Sequence, residues 1–324
     1  MIERTIQKND AGQRFDKYLK KLLKEANGSF IYKMLRKKNI TLNGKKSDGT
    51  EKVAEGDTVR LFFSDETYAK FTGKNTAMAA EKKSHYQDLP RTNLSIVYED
   101  EDVLVINKPT GMLSQKAKPT DVSVNEYLLS YLLDTHAVTP QELETFRPSI
   151  CNRLDRNTSG LLVAGKTLHG LQSMSKLLQD RTVKKYYCCI VKGILKKEQR
   201  ISGYLWKDET KNRVTISSCE RADAKPIETA YRPLQTYGNA TLLEVHLITG
   251  RSHQIRAHLA SIGHPILGDM KYGDTAWNTR LRERIGIRNQ LLHACRMEFP
   301  DGKKSQAPLP KEFHSTMDYL EREK

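Results

Sequence analysis

From Ser64 to about Asn93 the apolar patterning of this chain lapses, most plainly in FTGKNTAMAAEKKSHYQDLPRTN, which is polar and poor in aliphatic residues. A tract of that length and composition is not expected inside a packed core, whereas it suits the connection between two of them. The 324 residues leave room for about two such cores at the usual 100 to 200 residues each. The expected organisation is a small unit over 1–63, a linker over 64–93 and a larger unit over 94–324.

The small unit begins its apolar periodicity at Phe15, Tyr18, Leu19, Leu22 and Leu23, one face of an amphipathic helix. Gly28 and Ser29 read as a break. A second helix then turns Ile31, Met34 and Leu35 inward and crowds Lys33, Arg36, Lys37 and Lys38 on its other side. Ile40 and Leu42 alternate as a strand into Asn43-Gly44, the dipeptide suited to a two-residue hairpin turn, and a last strand is expected from Thr58 to Phe63.

Charge says what such a protein meets. Lys and Arg number 54 against 39 Asp and Glu, a net charge of +15, which favours a polyanionic partner, with nucleic acid ahead of an anionic membrane. No apolar run approaches the roughly 20 residues of a membrane-spanning helix. The opening MIERTIQKND carries charges where a signal peptide would be apolar, so a cytoplasmic location is expected. Five cysteines without a C-x-x-C pair spell neither a zinc knuckle nor a disulfide framework and suit a reducing compartment. Basic residues exceed acidic ones by 20 to 12 over 1–93, so the first unit is the expected docking module.

Beyond residue 94, short strands recur at Ser95 to Tyr98, Val103 to Ile106, Leu161 to Ala164, Tyr186 to Val191 and Leu242 to Ile248, with a helical pattern at Leu168, Leu171, Met174, Leu177 and Leu178. The strands do not alternate one by one with helices. An α+β arrangement around a mixed, largely antiparallel sheet is therefore expected over a doubly wound parallel one.

The segment CNRLDRNTSGLLVAGKT places Asp155 in a turn-rich stretch just ahead of an apolar strand. Taken alone, a loop ion pair among Arg153, Asp155 and Arg156 would explain it as well as a projecting catalytic carboxylate would. However, RLDRNTSGLLVAGKT closely resembles the signature of the RluA-type pseudouridine synthases, whose Asp in R-L-D is catalytic. NKPTGM at Asn107 to Met112, KYYCCIVKG at Lys185 to Gly193 and TGRSHQIRAHLASIGHPILGDMKYG at Thr249 to Gly273 resemble further motifs of that family in order and spacing. Residues 12–63 resemble the S-four-type RNA-binding domain that often precedes the catalytic part. IYKMLRKKNITLNGKK is most similar to the subgroup acting on large-subunit ribosomal RNA. Two positions depart from the pattern: Asn152 stands where the family often has His, and Cys189 where Ala is usual.

The resemblance implies a cofactor-free isomerisation of uridine to pseudouridine, with large-subunit ribosomal RNA as the expected substrate. Transfer RNA is an alternative substrate, and a non-catalytic RNA-binding or ribosome-assembly factor is an alternative role. The resemblance also implies Asp155 as nucleophile, Arg256 as the guanidinium that orients it, with Arg251 in reserve, and Tyr187 as a flat face and phenol for the flipped base. Strand alternation lets only one of Tyr186 and Tyr187 face the site, and the resemblance to the family's K-x-Y-x-A pattern, counted from Lys185, implies Tyr187. Arg153, Lys108, Arg251, His253 and Gln254 are expected to contact substrate, and Lys33, Arg36, Lys37 and Lys38 to meet RNA phosphates. His253 and His258, five apart with no Glu between, do not spell a zinc site. A monomer is the default expectation, because no long heptad seam is present.

Overall fold

The computed structural model describes residues 1–73, 89–91, 93–208, 213–220 and 222–323. In the first unit, β1 (Ile2–Thr5) forms an edge that the sequence pattern does not announce. The stripe of Phe15, Tyr18, Leu19, Leu22 and Leu23 is buried along and just past α1 (Phe15–Leu22). The expected break at Gly28 and Ser29 lies earlier. Asn27 accepts the Phe30 N–H through its side chain at 2.8 Å and caps α2 (Gly28–Arg36), so Gly28 and Ser29 form its first turn. Ile31, Met34 and Leu35 pack inward, while Lys33, Arg36, Lys37 and Lys38 are all exposed.

Asn43 and Gly44, at φ 51° and 73°, make the tight turn between β2 (Ile40–Leu42) and β3 (Lys45–Lys46). With β4 (Thr58–Leu61), shorter than expected, they complete a four-stranded sheet of order β1-β4-β2-β3. The tract expected as linker does not start at residue 64. Ser64 caps α3 (Asp65–Thr72), whose Tyr68 and Phe71 pack on the first core, with the Phe71 ring 4.3 Å from Phe30. Residues 74–88 and 92 of that tract lie outside the described residues.

The second unit is built, among the described residues, on an eleven-stranded sheet. Its strands are β5 (Ile96–Glu99), β6 (Val103–Lys108), β7 (Ser149–Ile150), β8 (Ser159–Gly165), β9 (Lys184–Lys192), β10 (Gln199–Asp208), β11 (Arg213–Ser217), β12 (Lys225–Tyr237), β13 (Ala240–Leu247), β14 (Leu292–Glu298) and β15 (Lys304–Gln306). Their order is β11-β10-β12-β13-β9-β14-β8-β6-β5, with β7 beside β8 and β15 beside β14. The β14–β8 pairing is parallel and the others are antiparallel, so the α+β class and the mixed, largely antiparallel sheet hold. The late strand β14 thus sits between β9 and β8 and joins the two halves of the sheet.

That junction depends on a glycine. Gly160, at φ +108°, faces the Ala294 backbone so closely that a Cβ would overlap the Ala294 carbonyl oxygen. Side-chain alternation then separates two layers. Leu162, Ala164, Tyr187, Cys189 and Val191 face one core together with α4 (Val124–Asp134), which opens on a Ser123–Glu126 capping box. Leu161 and Val163 face the other side, against α5 (Leu168–Gln179). Cys188 and Ile190 pack toward α7 (Thr275–Ile285) and α8 (Lys311–Arg322), leaving α6 (Gln254–Ser261) on the Tyr187 side through Ile255 and Leu259. The two units touch through Lys8–Glu101, Asn9–Glu142 and Arg4–Glu144 contacts at 2.5, 3.0 and 3.4 Å. Among the described residues no helix is long and apolar enough to cross a membrane.

Candidate active site

Asp155 stands on the loop between β7 and β8, and that loop is held from below. The Leu154 N–H donates to Ser114 Oγ at 3.1 Å, and the Ser114 hydroxyl donates to the Leu154 carbonyl at 2.8 Å. Lys108, expected to border substrate, is instead fully buried. Its Nζ donates to the carbonyls of Pro109, Met112 and Arg156 at 2.9, 3.0 and 3.0 Å, tying the turn after β6 to the Asp155 loop. Burial pulls the Lys108 ammonium down to about 7, opposed by the charge of Asp155. Three carbonyls, each taking one proton, favour the ammonium form that can donate three times.

The partner of Asp155 comes from α6. Arg256 Nη1 donates to Asp155 Oδ2 at 2.8 Å, while its Nε and Nη2 donate to the two oxygens of Asp269 at 2.7 and 2.9 Å. Side-chain exposure rises from 0% at Asp269 through 9% at Arg256 to 27% at Asp155, so the carboxylate is the end of the chain that solvent or substrate meets. Burial works against the Arg256 charge, but the bonds to Asp269 and the field of both carboxylates outweigh it and hold the guanidinium above its ordinary value. Asp269 is likewise penalised by burial, yet Arg256 and the backbone N–H groups of Lys271 and Tyr272 hold it below the usual carboxylate range. Sequence reasoning singles out neither Asp269 nor Tyr272, although both lie in the GDMKYG stretch. A lone Asp within the otherwise apolar ILGDM is the signal that could have found the first, because a carboxylate buried there needs a cation.

His253 precedes α6 in a left-handed conformation at φ 56°. Its Nε2 lies 3.9 Å from Asp155 Oδ2, and its Nδ1 is 2.9 Å from the Tyr272 hydroxyl. His258 turns elsewhere, to Thr229 Oγ1 at 3.1 Å. Tyr187 is buried in the layer that contains Leu154 and Ile255. Tyr186 lies on the opposite face, stacked on His246 with the Arg296 guanidinium 3.6 Å over its ring. Burial, then the charge of Asp155, push the Tyr187 phenol up, which keeps it a neutral donor and disfavours its service as a base.

The remaining expected residues divide. Gln254 is buried and fully engaged: its amide nitrogen donates to the Glu228 carbonyl and Thr229 Oγ1, and its oxygen accepts from Thr249 Oγ1 and the Arg251 N–H. It braces the turn that carries His253 rather than offering a hand to substrate. Arg153 and Arg251 are exposed. Asn152 accepts the Val163 N–H at 2.8 Å, so the departure from the family pattern is absorbed in the edge of β8. Lys33, Arg36, Lys37 and Lys38 stand apart from this constellation, on the first unit.

A carboxylate fixed by a buried guanidinium on a braced loop ahead of a strand, with a buried tyrosine within reach of its charge, is equipped for attack on or stabilisation of an electrophilic carbon. Comparison with known proteins agrees. The family model described as RNA pseudouridylate synthase matches residues 102–261, which include Asp155, Tyr187 and Arg256. The chain is 31% identical to ribosomal large subunit pseudouridine synthase C of Vibrio cholerae, over 95% of this chain and 93% of that protein. It is also 31% identical to ribosomal large subunit pseudouridine synthase D of Nitrosomonas europaea, over 95% and 85%. Among solved structures, human RNA pseudouridylate synthase domain containing 1 superposes with a TM-score of 0.54 at 26% identity, over 71% of this chain and 89% of that one. The chain belongs to the RluA-type RNA pseudouridylate synthase family, and it is an enzyme of that class.

Proposed function

We propose that the protein isomerises uridine to pseudouridine in large-subunit ribosomal RNA, with Asp155 as the nucleophile. The observation that carries the assignment of the site is the Asp155–Arg256–Asp269 chain, in which two buried groups hold one partly exposed carboxylate. The names of the relatives support the choice of RNA, since the Vibrio and Nitrosomonas proteins are called ribosomal large subunit synthases.

In this reading a uridine leaves its stack and enters beside Asp155. The carboxylate acts at the anomeric carbon as the bond to ring nitrogen 1 breaks, the uracil turns, and ring carbon 5 bonds to the same sugar carbon. The proton on carbon 5 departs and nitrogen 1 gains one, so composition and oxidation level are unchanged and the chain's own residues suffice. Arg256 orients the carboxylate, and Tyr187 offers the base an aromatic wall. The first unit docks RNA through Lys33, Arg36, Lys37 and Lys38, in the manner of an S-four-type domain.

Tritium release from RNA labelled at uracil carbon 5 tests this, with ribosomal and transfer RNA transcribed without modifications and wild type set beside Asp155→Asn. Release from ribosomal RNA by wild type alone is expected. Turnover by Asp155→Asn would refute the nucleophile. Release from transfer RNA only would move the substrate, and release from neither, with RNA still bound, would favour a binding factor.

A further inference from the structure

The hydrogen bonds around His253 determine more than its position. The Val214 N–H donates to the Tyr272 hydroxyl oxygen at 2.9 Å, and that same hydroxyl lies 2.9 Å from His253 Nδ1. With its oxygen already accepting from Val214, the phenol has one proton to give, and Nδ1 lies within reach of it. A ring that accepts at Nδ1 carries its own proton on Nε2 when neutral. Nε2 faces Asp155 Oδ2 across 3.9 Å, beyond hydrogen-bond reach, so the N–H is directed at the space beside the carboxylate.

We infer that Tyr272 fixes His253 as the neutral tautomer protonated on Nε2, and that this N–H donates to an oxygen of the nucleotide held beside Asp155. The donor role rests on the synthase reading of the site; the tautomer does not. Tyr272 acts through His253 and is a positioning residue. It is itself held in place, with the guanidinium carbons of Arg256 and Arg213 at 5.2 and 5.3 Å from its ring centre. The ionisable groups facing the imidazole are Asp155 on its loop, Arg256 on α6, and Asp269, Lys271 and Tyr272 on the segment that follows. Burial outweighs the attraction of Asp155 and holds the imidazole below its ordinary value, in keeping with a neutral ring.

The experiment uses the full chain labelled with nitrogen-15 at histidine. In the RNA-free protein at pH 7.5, the His253 nitrogens should show the Nε2–H tautomer, and Tyr272→Phe should shift them toward a mixture. An Nδ1–H tautomer or an imidazolium at that pH overturns the assignment. With labelled RNA, His253→Ala should lose about tenfold in kcat/KM, as expected for one substrate hydrogen bond, and His253→Gln, which keeps an N–H, should recover part of it. Tyr272→Phe lets the neutral ring take the Nδ1–H tautomer and lose its Nε2 donor, a loss that protonation to the imidazolium reverses, so the kcat/KM deficit of the variant relative to wild type should shrink as pH falls. Equal losses in the two His253 variants, or a Tyr272→Phe deficit that does not change with pH, overturn the donor role. If wild type releases no tritium, the synthase reading and the donor role fall together, while the nitrogen spectrum still decides the tautomer.

Discussion

Asp269→Asn tests whether the site is held by its buried end. The substitution is nearly isosteric, yet it removes the charge that faces Arg256 and turns an N–H₂ toward a group that can only donate. Wild-type Asp269 accepts two guanidinium bonds, at 2.7 and 2.9 Å, and the N–H groups of Lys271 and Tyr272 at 2.9 and 3.1 Å. Asparagine retains one acceptor oxygen for these four donors. Breaking a buried ion pair from one side costs about 3 to 5 kcal/mol, and the surviving bond to Asp155 places this case near the lower end, about 3 kcal/mol. At roughly 2 to 4 °C per kcal/mol for a unit of this size, the melting temperature should fall by about 6 to 12 °C.

The pH dependence provides a second reading of the same interaction. Asp269 is held below its ordinary value, so its contribution is present above the unfolded carboxyl range and is lost as pH falls through the folded one. The stability gap between wild type and variant, measured by urea unfolding, should be flat from pH 7 to 5 and narrow below about pH 4. Turnover should drop about a hundredfold at temperatures where both proteins are folded, because a misplaced guanidinium no longer orients Asp155. A gap under about 1 kcal/mol with turnover intact would refute the claim that Asp269 sets the geometry of the site.

Three further outcomes follow from features of the same structure. Lys108→Met should lower stability by about 3 kcal/mol or more in thermal unfolding, since three loop carbonyls forfeit their shared donor at once. Gly160→Ala should be at least as damaging, because its Cβ would overlap the Ala294 backbone in a conformation already unfavourable for alanine; near-wild-type melting would contradict the β14–β8 packing. Replacing Lys33, Arg36, Lys37 and Lys38 with Gln should weaken RNA binding and reduce the slope of log affinity against log salt by about 0.7 to 0.9 for each phosphate no longer neutralised, with an unchanged slope counting against the docking role.

Local patterning reveals most of the elements and little of their pairing. The α1 stripe, the Asn43-Gly44 turn and the strand around Leu161 to Ala164 each rest on neighbours in the chain, and each is found where those residues place it. The start of α2 differs from expectation because Gly28 is a poor helix former, whereas Asn27 supplies the cap that overrides it. The long strands β10 and β12 are not legible: Pro226 and Pro233 interrupt the alternation of β12, and many of the side chains of both are exposed. At the site, motifs name Asp155 and Arg256, but their meeting spans 101 positions of sequence, and the burial that converts Lys108 and Gln254 from substrate contacts into braces is set by distant segments.

The central place of β14 gives the enzyme a timetable. A chain emerges from the ribosome N-terminus first, so the basic first unit is available to fold long before Leu292 is made. Until β14 emerges, the segment bearing Asp155 and the segments bearing Tyr187 and Arg256 lack the strand that seats them side by side. It follows that the first unit can fold, and on the docking role proposed for it bind RNA, before the site around Asp155 is assembled, and that catalytic competence waits for Leu292 and the strand it opens. A chain stalled just short of Leu292 should therefore be an RNA binder without turnover, and supplying the missing C-terminal segment as a separate peptide is the direct way to ask whether the clock can be restarted.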